Sequence, residues 1–198
     1  MAGSDEGLIS ALRQRLGADE VVTGPDALAP FETDWRGLVR HPAIAAVTPR
    51  DTAAVAATVG ICRAHSVAIV PQGGKTGMVA GAVPAPGRRQ VVLSLARLDR
   101  IRAIDTVNDS ITVDAGCILR HVQDAAAAAD RMLPLRLASE GTCQIGGTIA
   151  ANAGGTQVLA YGSMRSLVLG LEVVLPDGRV WDGLRGLRKD NTGVDLKQ

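Results

Sequence analysis

Two glycine-dense stretches hold the residues whose types and spacing could do chemistry: PQGGKTGMVAG from Pro71 to Gly81, and GTCQIGGTIAANAGG from Gly141 to Gly155. They contain nine of the chain's 23 glycines. Glycine gathers where a backbone takes positive φ or must approach a ligand more closely than a Cβ permits. A run of main-chain N–H groups exposed in this way can cradle a phosphate. Two such stretches in one chain point to an extended ligand gripped from two sides, which favours a dinucleotide over a simple anion. In the second stretch, Ile145-Gly146-Gly147 leads into Thr148 to Asn152, a short helix whose first turn would present free N–H groups and partial positive charge to that ligand. The competing reading is a tightly packed helix in which glycine only permits close contact. Neither stretch fits the common nucleotide motifs. A P-loop needs a glycine five positions before Gly74, and Ile69 stands there; Gly73, Gly74, Gly77 and Gly81 do not have the Rossmann spacing.

The remaining reactive side chains offer a grip without an evident acid or base. His41, His65 and His121 are scattered, and the latter two fall on expected helices, where surface or helix-end roles are the ordinary ones. No Ser/His/Asp or Cys/His arrangement stands out. Cys62, Cys117 and Cys143 form no CxxC pair and no zinc spacing, so they read as reduced thiols and no metal site is expected. Cys143 lies inside the second stretch, where it reads as a small apolar filler.

The totals narrow the classes. A chain of 198 residues with 46% hydrophobic and 21% charged residues is an ordinary globular composition, long enough for one large domain or two lobes. Lys+Arg 21 against Asp+Glu 20 leaves no basic excess for a nucleic-acid backbone, and two Trp, one Tyr and one Phe make no stacking platform. Asp5, Glu6, Asp19 and Glu20 interrupt the start of the chain, so neither a signal peptide nor an organelle presequence is expected, and no apolar run approaches the about 18 residues of a membrane span. The expected setting is cytoplasmic.

The elements that must position the two stretches follow from periodicity. Leu8, Leu12 and Leu16 recur every fourth residue up to Gly17, a surface helix packed on the main body. A loop holding Pro25, Pro30, Trp35 and Gly37 leads to a strand over Ala43 to Val47. Thr48-Pro49-Arg50-Asp51 reads as a capping box with Thr48 as N-cap. The helix it opens runs to about His65 with Val55, Val59 and Cys62 buried. Val67 to Val70 is the next strand, so strand, helix and strand make a βαβ unit whose carboxyl end releases the first glycine stretch, where open α/β sheets hold ligands. Strands are expected over Val91 to Leu95 and Ile111 to Ala115, joined by a charged surface turn from Arg97 to Asp109. The alanine run from Cys117 to Asp130 predicts a helix. Leu167 to Leu175 is a strand, with Pro176-Asp177-Gly178 turning it into a partner at Arg179 to Trp181.

Seven segments in the same order resemble the flavin-binding domain of the vanillyl-alcohol-oxidase-like (PCMH-type) family: TDWRG at Thr33 to Gly37, PQGGKTGMVAG, DAGC at Asp114 to Cys117, GTCQIGGTIAANAGG, YGS at Tyr161 to Ser163, LGLEVVLPDG at Leu169 to Gly178, and LRKDNTGVDLKQ at Leu187 to Gln198. The nearest branch is that of the D-2-hydroxyglutarate and D-lactate dehydrogenases and glycolate oxidase. The resemblance implies an α+β fold with two lobes, a small βαβ lobe and a larger mixed sheet flanked by helices. Residues 1–42 would be a helix and lead-in loop, and 43–198 an FAD-binding domain incomplete at its C-terminal end and without the substrate domain. It implies FAD lying between the lobes, held non-covalently since neither glycine stretch contains a histidine. The pyrophosphate would be wrapped by Pro71, Gln72, Gly73, Gly74, Lys75, Thr76, Gly77 and Met78. The ribityl chain and isoalloxazine would border Pro134, Gly141, Thr142, Ile145, Gly146, Gly147, Ala151, Asn152, Gly154, Gly155, Tyr161 and Gly162. A flavin so held would take a hydride from the α-carbon of a D-2-hydroxy acid and pass electrons to a separate acceptor.

Four positions depart from the family's form. Lys75 stands where relatives often have Asn, Arg136 replaces an acidic residue, and Thr148 and Ala151 differ from GGNxATNAGG. A cation at 75 would still suit a pyrophosphate; the missing hydroxyl at 151 would remove one hydrogen bond, about 1 kcal/mol. Relatives continue past the DLKQ segment into the remainder of the flavin domain and then a substrate domain with metal-ligand histidines and the catalytic base, so the expectation is a partial member that keeps most of the cofactor site and lacks the substrate site. The alternatives are a non-catalytic FAD- or nucleotide-binding module that associates with a separate substrate-domain chain, and an inactive fragment.

Overall fold

The structure, a computed structural model, describes residues 2–197. The chain divides into two compact units: the first runs to Leu98 and takes in Val174–Val180, and the second comprises Asp99–Val173 and the residues from Trp181 onward.

In the first unit, helix α1 (Ala2–Leu16) stops at Gly17, whose φ of 104° is glycine territory. Its leucines go deeper than a surface helix requires: Leu8 and Leu12 have no exposure and join Val47, Val55, Cys62 and Val91 in one core cluster. A 3-10 turn (Ala18–Glu20) leads to the short strand β1 (Val21–Val22). Residues Pro25–Glu32, expected as loop, form helix α2. Two prolines misled the reading for a physical reason. Pro25 occupies the start of the helix, where an N–H has no partner in any case. Pro30 gives up a single bond in a helix anchored by buried Leu28 and Glu32.

Strand β2 (Ala45–Val47) then precedes helix α3 (Thr52–Ala64). The N-cap is Asp51 rather than Thr48: the Asp51 carboxylate accepts from the Ala54 N–H at 2.8 Å. Thr48 instead donates its N–H to Glu20 O at 2.9 Å, which keeps the chain extended through Pro49. Helix α3 buries Val55, Thr58 and Cys62, and the Thr58 hydroxyl, fully enclosed, is satisfied by Ala54 O at 2.8 Å. Strands β3 (Ala68–Gln72) and β4 (Gln90–Ser94) complete a four-stranded sheet of order β1-β2-β4-β3. The β2-α3-β3 crossover is the expected βαβ unit, opened so that β4 inserts between its two parallel strands. That makes β3 an edge, the position where Pro71, lacking a ladder donor, is tolerated opposite Leu93.

In the second unit, the stretch Arg97 to Asp109, expected as a turn, contains strand β5 (Ile101–Asp105), paired antiparallel to β6 (Ser110–Val113) with an irregularity between Ile101 and Ala103. Every residue of β5 is exposed, so burial left no apolar alternation to read. Helices α4 (Leu119–Ala128) and α5 (Ile145–Ala150) follow. Beyond them, Val158–Tyr161 and Met164–Leu167 make the single-turn helices α6 and α7. The long strand expected over Leu167 to Leu175 is shorter, β7 (Leu171–Val174), because its first residue closes α7; β8 (Val180–Gly183) is its hairpin partner, with the connecting Val174–Val180 belonging to the first unit. The core here gathers Leu119, Val122, Leu135, Cys143, Ile145 and Met164. The fold is α+β, as expected.

Candidate functional site

In the first unit, the carboxyl end of β3 releases the first glycine stretch. Gln72 is 3% exposed, and its amide nitrogen donates to Phe31 O at 2.8 Å and Ala82 O at 2.7 Å. One side chain therefore ties the two ends of the loop together and fastens them to α2. Lys75 follows in the left-handed region, with φ 52°. Its ammonium donates to Pro30 O, and to Thr33 O at 3.2 Å. Burial lowers its affinity for a proton, with the charge of Asp34 opposing. Sequence reasoning gave this cation to a phosphate; the structure spends it on the carbonyl end of a helix, which attracts positive charge. Beyond it, Gly77 and Gly81 have nothing within 4 Å of where a Cβ would sit, and neither needs positive φ. Met78 is 59% exposed and its neighbour Val79 89%. Protein packing does not explain glycine at 77 or 81, so the space beside them is free for a ligand.

The loop's supporting wall is TDWRG. The Asp34 carboxylate accepts from the N–H groups of Leu38 (2.7 Å) and Val39 (2.8 Å), and the Asp34 N–H donates to Val39 O at 2.9 Å. The Val39 N–H first, aided by those of Leu38 and Arg36, holds the carboxyl below the usual Asp range. Glu32, equally buried, accepts from the Ala43 N–H at 3.0 Å and from Arg40. Sequence reasoning missed both anchors. The signal available was an Asp before a Gly-containing turn, the usual partner of backbone N–H groups.

In the second unit, the second glycine stretch divides into two kinds of position. At Gly146 a Cβ would lie 2.9 Å from the Ala115 Cβ; at Gly154, 2.6 Å from Val158 Cγ2; at Gly155, 1.7 Å from Arg136 O. These three glycines answer to close packing, the competing reading for this segment. Gly141 and Gly147 have nothing within 4 Å and are open. The opening of α5 also differs from the expectation of free donors: the Ile145 N–H is bound to Cys117 O at 2.9 Å and that of Gly146 to Ala115 O at 2.7 Å. The loop lies antiparallel to DAGC and the residues after it, with Leu119 N–H reaching Cys143 O at 3.0 Å. Asn152, at φ 45°, accepts from the Ser163 hydroxyl at 2.8 Å and the Arg165 N–H at 2.9 Å, so its carbonyl oxygen is committed within the fold. The hydroxyl of Thr148 is likewise turned inward to Ile145 O at 2.8 Å. Gly162 takes φ 78°, and a side chain there would meet Ser166. Pro134 is half-buried; Thr142, Ala151 and Tyr161 are exposed. The open positions of this unit are thus Gly141, Thr142, Gly147, Ala151 and Tyr161.

The DAGC aspartate is a framework residue. Asp114, 3% exposed, receives Arg100 Nε at 3.0 Å and Arg102 Nε at 2.5 Å, and Arg102 also reaches Glu172 at 2.9 Å. Burial pushes the carboxyl up, but the hydrogen bonds from Arg100 and Arg102 outweigh it and hold it below the usual range. Arg136, the departure from an acidic residue, pairs with Glu140 at 3.5 Å. The three thiols are free and buried, and burial pushes Cys62 up to about 11 and Cys117 and Cys143 in the same direction. Among the described residues no cluster of three or more His, Cys, Asp or Glu is placed to hold a metal, and no helix is long and apolar enough to cross a membrane.

Comparison with known proteins identifies the family and the fold. The family described as "FAD binding domain" matches residues 43–183. D-2-hydroxyglutarate dehydrogenase, mitochondrial, of Bos taurus is 42% identical over 188 residues, covering 95% of this chain and 34% of that protein. The enzyme of the same name from Arabidopsis thaliana is 36% identical over 189 residues, covering 96% and 34%. The chain spans about a third of the length of the curated relatives it matches. Because their names place these relatives in mitochondria, they lend no support to a cytoplasmic setting. Among solved structures, alkyldihydroxyacetonephosphate synthase superposes with a TM-score of 0.82 at 19% identity, over 96% of this chain and 35% of that one. Substrate-bound p-cresol methylhydroxylase gives 0.74 at 25% identity, over 97% and 38%. With a family match across most of its length, the chain belongs to the FAD binding domain family and is related to the D-2-hydroxyglutarate dehydrogenases.

Proposed function

We propose that this chain holds FAD, non-covalently, as the flavin-binding part of an oxidoreductase acting on a D-2-hydroxy acid of the 2-hydroxyglutarate, lactate or glycolate type. The observation that carries the reading is the open glycine. Gly77, Gly81, Gly141 and Gly147 need neither positive φ nor internal packing, and each leaves vacant the volume a side chain would take. That vacancy suits a group that must lie against main chain. The donors beside the first two are uncharged main-chain amides, which suit a diphosphate.

FAD, when bound, supplies a two-electron acceptor for the α-carbon hydrogen of the hydroxy acid. The residues of this chain bind and orient. Gln72 to Met78 present N–H groups to the diphosphate, their curvature set by Gln72. Gly141, Thr142, Gly147, Ala151 and Tyr161 border the ribityl and ring portions, Tyr161 offering its hydroxyl while that of Thr142 donates to Ser139 O at 3.3 Å. Ile145, Gly146, Asn152, Gly154, Gly155 and Gly162 shape that border from behind. Substrate and electron acceptor belong to the whole enzyme, whose remaining contacts lie in the same protein or in an associated chain.

The test is reconstitution. The purified chain is incubated with FAD, passed through a desalting column, and its visible spectrum recorded. Stoichiometric retained flavin that is released by denaturant supports non-covalent holding. A chain folded by circular dichroism that retains none refutes the proposal. For the substrate class, bleaching of the flavin band in the whole enzyme by D-2-hydroxyglutarate or D-lactate, and not by the L-forms, is the expected result.

A further inference from the structure

We propose that Lys75 is a positioning residue: its ammonium fastens the first glycine loop to the carbonyl end of α2 and, on the flavin-holding reading above, leaves recognition of the diphosphate to main-chain N–H groups. The last carbonyls of a helix have no partners within it, and the helix dipole places partial negative charge there. In α2 the loop claims two of those carbonyls and that of the C-cap Thr33, while Ala29 O accepts from the Thr33 hydroxyl and Glu32 O from the His41 N–H. Pro30 O and Thr33 O receive the Lys75 ammonium, and Phe31 O, between them, receives the Gln72 amide at 2.8 Å. Lys75 reaches them from a left-handed backbone, φ 52°, which a residue with a side chain seldom adopts unless its surroundings hold it there. The ammonium thus points back into the fold, with two of its three donors committed to carbonyls.

A cation that contacts the diphosphate and a cation that shapes the loop predict different behaviour in salt. Direct charge pairing weakens as salt screens it; a shape effect does not. The experiment compares Lys75→Met, which removes the donors and keeps the apolar stem, with Lys75→Arg, which keeps donors and charge. First, without flavin, thermolysin cleavage near the exposed Met78-Val79 bond is timed by mass spectrometry. K75M is expected to be cut within residues 73–82 about tenfold faster than the parent, the factor for a charged hydrogen bond of about 1.5 kcal/mol, with K75R near the parent. Cleavage confined to that loop separates its release from general unfolding, and Lys75→Gln replaces K75M if K75M melts below the assay temperature. Second, the FAD dissociation constant is measured at about 50 and about 500 mM NaCl. K75M is expected to weaken binding about tenfold at both, K75R to restore it. Parental cleavage in K75M, or a binding loss that shrinks at high salt, would overturn the proposal. If the parent retains no FAD, the flavin reading falls, while the cleavage rates still decide whether Lys75 holds the loop.

Discussion

Two kinds of glycine within the two glycine-dense stretches predict opposite phenotypes for the same substitution. In Gly155→Ala the new Cβ would be placed 1.7 Å from Arg136 O, with Arg136 C at 2.9 Å. No non-bonded carbon approaches an oxygen that closely, and the obstructing atom is main chain, so the segment around Arg136 must move. Overpacking costs about 1–3 kcal/mol, and an obstruction by backbone belongs at or above the upper end. For a unit of roughly 90 residues, each kcal/mol lowers the melting temperature by about 4–8 °C, so G155A should melt at least about 10 °C below the parent. In Gly77→Ala the methyl enters open space, the backbone has no positive φ to strain, and stability should stay within about 0.5 kcal/mol of the parent. There the loss should fall on the cofactor: a methyl in the ligand's volume raises the FAD dissociation constant tenfold or more, about 1.4 kcal/mol. Thermal melts followed by circular dichroism, with flavin titrations on the folded proteins, read both quantities. A G155A melting within a degree or two of the parent, or a G77A that binds FAD as the parent does, would refute the division of glycines into packing and cradle.

Three further outcomes can be checked. Asp114→Asn leaves Arg100 and Arg102 without their buried carboxylate and should cost about 3 kcal/mol by urea unfolding at neutral pH. Because the Asp114 carboxyl is held below its ordinary value of about 3.9, its contribution is present above that pH and disappears as the pH falls through the lower folded value. The difference between parent and D114N should therefore narrow below about pH 4, and a gap that stays constant into acid would contradict the assignment. Asp51→Ala should cost about 1 kcal/mol through loss of the α3 cap, and Gly60→Ala, in open space on the same helix, should gain about 0.5–1 kcal/mol. Equal melting temperatures for these two variants would be the contrary result. Native thiols should react slowly with Ellman's reagent at pH 8, since burial disfavours every thiolate, and quickly after unfolding; a fast native phase would show that one of them is accessible.

Much of the framework was legible because it depends on local rules. Leu8 and Leu12, the apolar run at Val67 to Val70 and the alanine-rich α4 each follow a period or a propensity that a short window contains. The first glycine loop was also legible in place, since a βαβ unit says where its carboxyl edge lies. The illegible parts depend on partners far along the chain. Strand β5 is exposed on every residue and exists through its pairing with β6 and the reach of Arg102 to Asp114 and Glu172. Helix α2 carries two prolines and is fixed at its far end by Gln72 and Lys75, about 40 positions away by the spacing of those hydrogen bonds.

The same distinction governs the site. A glycine run states that side chains are absent, which a sequence records equally for a ligand cradle and for a packing contact. Only the neighbours separate the two. Ala115 and Arg136 claim the space at Gly146 and Gly155, while nothing claims it at Gly77, Gly81, Gly141 or Gly147. Side chains that bear charge or amide groups in these segments turn out to face inward: Lys75 and Gln72 to α2, Asn152 to Ser163 and Arg165, Asp114 to two arginines. Polar side chains spent on the scaffold hold the main chain in shape, and a main chain held in shape can present its own N–H groups to an anion without first ordering a loop. Rigidity of the first loop before ligand arrives should therefore matter more to flavin affinity than any single charge within it, since the entropy of ordering that loop is otherwise subtracted from binding.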